Sequence, residues 1–468
     1  MGRRDSDRRR RPLLQTLGVG LSTPYWLRRL ESRPPTTRPG DPTVRQASTV
    51  AAPAFVVHER SGRAHVERRG KDGTVFSGTA DEALQYAVDA GSESGIGTAI
   101  GLAPGTYEVH RTVRLASSTW LAGSGTAANL RAGSGLDDDL LRVPPGTDHA
   151  RISGVRLEGN RGENASGAAV SVAGYTWRTV LDGLVVRGPA GDGVRFEAGP
   201  EGEYSFEPVL ADVDVARCGG DGFVFGHVGD LFGSNLYAEG CAGNGFTMAA
   251  AGSTVVHPHA YDNRGEAGVR VLESAIDLDL LGGHFERNRR HGALVKGERI
   301  AIRNAFFADN SRDAPDSYSG LVLDGARDCL VSESTFVNDE GGPRPQRHGI
   351  VETAASDTNR VTANLFRNHA SGAVEKPAQP ATSMYRDNVG YTTENGGTAA
   401  VGDGDGIPHG LDETPTQYWV QSGDPRTVAR AVDVDGTDLT VSVVEVGSWS
   451  PMTDAVDVTW GATAIGGE

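Results

Sequence analysis

Between residues 167 and 373 nine glycine–apolar pairs recur at steps of similar length: Gly167-Ala168, Gly193-Val194, Gly222-Phe223, Gly245-Phe246, Gly268-Val269, Gly292-Ala293, Gly320-Leu321, Gly349-Ile350 and Gly372-Ala373. Successive steps are 26, 29, 23, 23, 24, 28, 29 and 23 residues. A repeat of this length predicts a solenoid, in which each unit buries its apolar face only by stacking on its neighbours. After the glycines the alternation has period two, as in Phe223-Val224-Phe225 and Val269-Arg270-Val271, so the repeating element is a strand. Phe223, Phe225, Phe246, Met248, Val269, Val271, Leu321 and Leu323 then point inward, and Val224, Thr247, Arg270 and Val322 outward. The expected architecture is all-β: a parallel β-helix with coils of about 23 residues.

Four residues before the glycines stand Cys218, Cys241, Arg264, Asn288 and Asn368, a column expected at one corner of the coil. Asparagine there can bond the backbone of the coils above and below. Cys218 and Cys241 fall on adjacent coils, about 4.8 Å apart by strand spacing. That separation suits a disulfide and equally two stacked free thiols. With Cys329 the count is odd, which favours the thiols.

The flanks read differently. Phe55-Val56-Val57, Ala64-His65-Val66 and Thr74-Val75-Phe76 alternate as short strands. Thr79-Ala80-Asp81-Glu82 is a capping box opening an amphipathic helix, with Leu84, Ala87 and Val88 on one face and Gly91 as its stop; such a helix can cover the open end of a β-helix. Next come Pro104-Gly105-Thr106-Tyr107, Val113-Arg114-Leu115 and Leu121-Ala122-Gly123-Ser124-Gly125. This order of helix, Pro-Gly-Thr-Tyr turn and Leu-x-Gly-x-Gly step resembles the opening of pectate-lyase-superfamily proteins, among them phage tailspikes and polygalacturonase-like β-helices. The resemblance covers residues 72 to about 390 and implies a right-handed helix. From residue 391 onward, alternating segments Thr416 to Val420, Ala429 to Val434, Leu439 to Val446 and Ala455 to Trp460 predict a small antiparallel β-sandwich. It resembles modules that follow β-helices in viral tail fibres and haloarchaeal surface proteins. Three segments are therefore expected: a basic leader and linker over 1–53, a capped β-helix over 54–390 and a β-sandwich over 391–468.

Charge divides the chain the same way. The formal net charge is −16, yet residues 1–45 hold eleven Arg against Asp5, Asp7, Glu31 and Asp41, so the remainder carries −23. Only Lys71, Lys296 and Lys376 are lysine, against 42 Arg, a composition similar to that of proteins from salt-loving archaea. An acidic body excludes nucleic acid as the expected partner, because phosphate binding needs clustered cations. No run reaches the roughly 18 apolar residues needed to cross a bilayer. Arg8-Arg9-Arg10-Arg11 followed by Leu13 to Leu21 resembles a twin-arginine export signal, although Thr23 to Arg29 interrupt its apolar run.

Alternation also suggests what the outer face displays. Asp212 and Asp214 are expected to stack on Asn235, Tyr237 and Glu239, then on Asp262, then on His284 and Glu286. Carboxylates, amides and rings on a rigid sheet suit sugar hydroxyls and C–H faces. Glu239, Asp262 and Glu286 would form one column with neighbours about 5 Å and ends about 10 Å apart. Retaining glycosidases need about 5 Å between carboxyls and inverting ones about 6.5–9.5 Å, so Asp262 and Glu286, with Glu239, are the candidate acid–base set. Asp212, Asp214, Asn235, Tyr237 and His284 are the candidate sugar contacts. The same column is also what an acidic surface would display. Asp192, Asp221 and Asn244, with His291 and His348, precede the repeat glycines; turn formation accounts for them, and Gly220-Asp221-Gly222 and Arg290-His291-Gly292 only partly match polygalacturonase motifs. Arg344-Pro345-Gln346-Arg347 does not reproduce a lyase signature.

The functional expectation is an exported or virion surface protein that binds extracellular polysaccharide or cell-surface glycan and, if catalytic, cleaves it as a hydrolase or lyase. The alternative is a non-catalytic adhesin or tail-fibre protein, monomeric or trimeric. No cofactor is expected, except calcium if the chain is a lyase.

Overall fold

The computed structural model describes residues 53–93, 97–199, 202–339, 345–376, 382–452 and 454–464. The basic leader with its twin-arginine-like signal, and Arg344, lie outside them.

The nine glycine–apolar repeats fall at nine of the eleven strands of a parallel sheet, one strand per coil, that runs from Val113–Arg114 to Gly372–Glu375. Its register joins Phe223 to Phe246, Val269, Ala293, Leu321 and Ile350 in turn. The repeating glycine is a matter of space: a Cβ on Gly222 would lie 2.6 Å from the Gly245 carbonyl oxygen and 2.7 Å from the Ala238 methyl. Coils packed at strand spacing leave no room for it. The remaining strands of the coils pair in parallel into a second, long sheet. Between the sheets the inward aromatics stack along the axis, Phe285 on Phe307, Phe336 and Phe366, with ring centroids 4.9, 4.5 and 5.1 Å apart. Phe307, Phe336 and Phe366 thus bury their faces against one another coil by coil, and Phe285 packs tilted on Phe307.

Sharp corners interrupt the second sheet. Strands Val209–Ala216 and Phe232–Glu239 bend at Asp212 and Asn235, whose φ angles are 52° and 51°. Gly183, His257, Gly282 and Asn304 hold the same left-handed conformation at the equivalent place on neighbouring coils. A left-handed residue costs roughly 1–2 kcal/mol unless it is glycine or a short polar residue, which explains the Gly, Asp and Asn here.

A buried ladder holds a different corner. Asn263 Oδ1 accepts from the Cys241 amide (3.1 Å), Asn288 Oδ1 from the Asn263 amide (3.1 Å), and Asn310 Oδ1 from the Asn288 amide (3.1 Å). Their Nδ2 groups donate to the carbonyls of Ala238, Ala260 and Phe285. Each ladder residue stands two beyond a strand end, so the member on the third coil is Asn263 and not Arg264, which is exposed; Asn368 is likewise outside it. Counting back from the glycine fails because the loop between corner and glycine varies in length. Cys218, Cys241 and Cys329 are buried free thiols.

At the N-terminal end three antiparallel strands, Phe55–Arg60, Arg63–Arg68 and Thr74–Gly78, precede the helix Ala80–Ser92. Its capping box forms as expected: Thr79 Oγ1 accepts from the Glu82 amide and Glu82 Oε2 from the Thr79 amide (3.1 Å). Ala83, Leu84, Ala87 and Val88 enter the solenoid core. Gly91 lies inside the helix, where it clears the Thr98 side chain (2.5 Å from a Cβ), and so is no stop signal. Tyr107 of the Pro-Gly-Thr-Tyr turn donates from its hydroxyl to the Val57 and Ala103 carbonyls, both at 2.9 Å. The C-terminal residues form two three-stranded antiparallel sheets. Val458, Trp460 and Ala462 of one and Leu439, Val441 and Val443 of the other share a single core separate from the solenoid's.

Candidate functional site

Beyond the bend at Asp212 and Asn235 the outer face of the second sheet carries two parallel columns. Register places Asp214, Tyr237, His259, His284 and Phe306 in the first. The second runs Arg187, Ala216, Glu239, Tyr261, Glu286 and Ala308. Tyr237, Glu239, His284, Glu286 and Asp214 therefore share the face that their alternation predicts.

Asp262 does not. Tyr261, not Asp262, pairs with Glu239 and Glu286, and Asp262 stands one residue further on at a left-handed corner (φ 52°), with Oδ1 2.9 Å from Arg289 Nε. The column is thus Glu239–Tyr261–Glu286, which separates the two glutamates by two coils, about 9.6 Å. Asp212 and Asn235 also leave the strand face: they occupy the bend itself and bond each other, Asn235 Nδ2 donating to Asp212 Oδ1 at 2.8 Å. Left-handed conformation explains all three, because the short polar residues that tolerate it imitate outward-facing strand positions in a sequence.

His259 and Tyr261 are the residues that alternation missed. The inward residue between them is Ala260, which follows Ala238 and precedes Phe285 along one buried column. The larger Tyr261 is the misleading choice for a core position; the small residue at Ala238 one coil earlier is the signal that the core narrows here.

The face is built around His259. Its ring meets Tyr237 edge-on (centroids 4.6 Å apart) and leans on His284 (5.5 Å). Glu286 Oε1 lies 3.0 Å from His284 Nδ1 and 3.7 Å from His259 Nε2. His259 Nε2 is shielded from solvent and has no hydrogen-bond partner among the described residues. Burial pushes the His259 imidazole down to about 4, against the opposing pull of Glu286, so the ring is neutral at pH 7. Arg187 grips Asp214 with both terminal nitrogens, and Arg287 Nε lies 3.9 Å from Asp309 Oδ2. Beside Arg287, Asp309 is held up at about 6 by burial and by neighbouring Asp339, whose amide donates to it at 2.9 Å. The set comprises a neutral imidazole, a carboxylate, phenols and a carboxyl near neutrality, the components of general acid–base chemistry.

The residues before the repeat glycines have backbone work. Asp192 Oδ1 accepts from the Asp221 amide (2.8 Å), Asp221 Oδ1 from the Asn244 amide (2.6 Å) and Asn244 Oδ1 from the Ala267 amide (3.1 Å). His291 Nδ1 accepts from the Ser319 amide at 3.1 Å. Among the described residues no three His, Cys, Asp or Glu side chains converge as metal ligands, and no helix is long and apolar enough to cross a membrane.

The fold and this face define a parallel β-helix, all-β and with very little helix. Among solved structures the chain is similar to the A-modules of two Azotobacter vinelandii mannuronan C-5 epimerases. For AlgE4 the TM-score is 0.54 at 19% identity, covering 67% of this chain and 91% of that one. For AlgE6 it is 0.50 at 17% identity, covering 67% and 95%. The tailspike protein gp49 of Pseudomonas phage LKA1 aligns at 11% identity over 82% of this chain and 92% of that one, with a TM-score of 0.49. Such identities speak for the fold alone. No family model matches the chain, and no curated protein matches it by sequence.

Proposed function

We propose that this protein binds an extracellular polysaccharide across the Tyr237–His259–His284 and Glu239–Tyr261–Glu286 columns and transfers protons on it. The observation that carries this reading is His259, neutral and shielded beside Glu286. A uronan is the favoured substrate class, because the hydrogen at C-5 of a uronate lies next to its carboxyl and is acidified by it. His259 takes that proton, Glu286 stabilises the resulting imidazolium, and a tyrosine hydroxyl returns a proton. Return to the opposite face inverts C-5; loss of the O-4 substituent instead leaves an unsaturated end. A docked polyanion would itself raise the proton affinity of His259. The similarity to structures named mannuronan C-5 epimerase supports the same class. Hydrolysis by Glu239 and Glu286 at about 9.6 Å is the related possibility, close to the inverting range.

In this reading the coils wind right-handed, as almost all parallel crossovers do. The helix Ala80–Ser92 covers one end of the solenoid, the two antiparallel sheets form a sandwich after residue 390, and the basic leader directs export.

The test is incubation with mannuronan, polygalacturonate and a neutral glucan in D2O, at low and high salt. Deuterium at C-5, unsaturated ends and reducing ends are followed for wild type, His259→Gln and Glu286→Gln. Turnover should fall by about 10²-fold or more in both variants. Undiminished activity in His259→Gln would overturn the mechanism. Binding without any product would favour the second reading, a non-catalytic adhesin or tail-fibre protein, to which the exposed Trp419 and Trp449 of the C-terminal sheets are suited.

A further inference from the structure

Around the next corner from the His259 face lies a patch of different character. Tyr175, Trp177, Tyr204, Phe206 and Phe232 are each exposed between 37 and 48%. Large rings exposed together in this way mark a binding surface. Trp177 pairs in register with Phe206, and Phe206 with Gly229, over which its ring lies, 3.1 Å from where a Cβ would stand. Tyr175 and Tyr204, equivalent positions on adjacent coils, each lie with their ring centroid 6.2 Å from that of Phe206. Beside the rings a groove of about 480 Å³ is lined by Arg151, Arg178, Val180, Glu207, Val209 and Asp230.

We infer that this aromatic corner is a second polysaccharide subsite, holding sugars of the same chain that reaches His259; the inference rests on the function proposed above. Two observations favour a sugar chain over another protein surface. The rings follow one another coil by coil, a spacing comparable to one sugar ring of an extended chain. Charged groups border them closely, Arg178 lying 2.7 Å from Glu207 and 5.9 Å from the Trp177 ring centre, so hydroxyls find partners beside each stacking face. The subsite is also continuous with the first face. Val209 and Phe232 belong to the strands that also carry Asp214, Tyr237 and Glu239, with Asp214 and Tyr237 five residues further on, past the bend.

The experiment compares mannuronan, polygalacturonate and neutral glucan oligomers, short and long, binding to the full chain by calorimetry. Trp177→Ala/Phe206→Ala should weaken binding of long oligomers about tenfold, the scale of a lost aromatic anchor, and leave short ones unchanged. Trp177→Tyr/Phe206→Tyr, which keeps the ring faces, should restore it. Tyr237→Ala should weaken short and long oligomers alike. If Tyr237→Ala weakens binding and the Ala pair changes neither length, the subsite is overturned and the first face stands. If wild type binds no probe, both readings fall. A fall in solution mass in the Ala pair, measured by sedimentation, would overturn the sugar in favour of a second copy as occupant.

Discussion

One strand, Phe232–Glu239, carries two surfaces of opposite chemistry. Before its bend at Asn235 it presents Phe232, exposed and apolar; after it come Tyr237 and Glu239, half-buried and facing an imidazole cluster. The backbone is the same parallel ladder on both sides, and the difference lies wholly in outward side chains and in what corners bring beside them. Near Phe232 the neighbours are rings and paired charges open to water; near Tyr237 they are groups whose proton affinities burial has moved. In the function proposed above, the solenoid would separate holding a ligand from acting on it without any change of fold.

The contrast can be broken most severely from below. The Asn288 side chain, two residues beyond Glu286, bonds the backbone of the preceding coil at the Asn263 amide and the Ala260 carbonyl, and Asn288→Leu leaves that amide and that carbonyl unsatisfied. A loss of roughly 3 kcal/mol is expected. Because stability in a solenoid is largely a nearest-neighbour matter, hydrogen exchange should quicken across residues 259–310 while residues 175–206 stay protected.

Acid should act next most strongly. Burial holds His259, His291 and His369 at about 4, against an ordinary 6.5. Between pH 6.5 and 4 the unfolded chain therefore takes up protons that the folded chain refuses. The stability of the neutral imidazoles is complete above 6.5 and is lost as pH falls toward 4. Asp309, held up at about 6, runs the other way between 3.8 and 6, as does Asp192 in direction, and the three imidazoles outweigh them. Denaturation midpoints at pH 7, 5.5 and 4.5 should decline, and His259→Gln should make the decline shallower.

The smallest effect tests whether charge or ring defines the aromatic corner. Arg178 and Glu207 are half exposed, so Arg178→Gln should change stability by less than about 1 kcal/mol. Binding of long oligomers, followed by calorimetry, should fall far less than in the Trp177 and Phe206 variants.

Much of this architecture was legible in period and spacing. The glycine steps located nine of the eleven strands of that sheet, because a missing Cβ is a steric requirement that recurs from coil to coil. The capping box located the helix for an equally local reason. At the site, Tyr237, Glu239, His284 and Glu286 could be assigned to one face by strict alternation. Asp262, Asp212 and Asn235 could not, since a left-handed corner consumes one residue and shifts the count without leaving an apolar mark. His259 was hidden by the same shift, and Trp177 and Phe206 by their kind: aromatic residues in a strand read as core until the structure shows them outside.

The Phe285–Phe307–Phe336–Phe366 stack and the strand ladders run parallel to the long axis of the coils, which has a mechanical meaning. Tension applied along that axis pulls directly on hydrogen bonds between one coil and the next, so the molecule should yield in discrete steps. Each step would release one repeat of 23 to 29 residues, or roughly 80–100 Å of extended chain. Held between a surface and a polymer, such a protein would lengthen under load coil by coil, and the coils still wound would keep their grip.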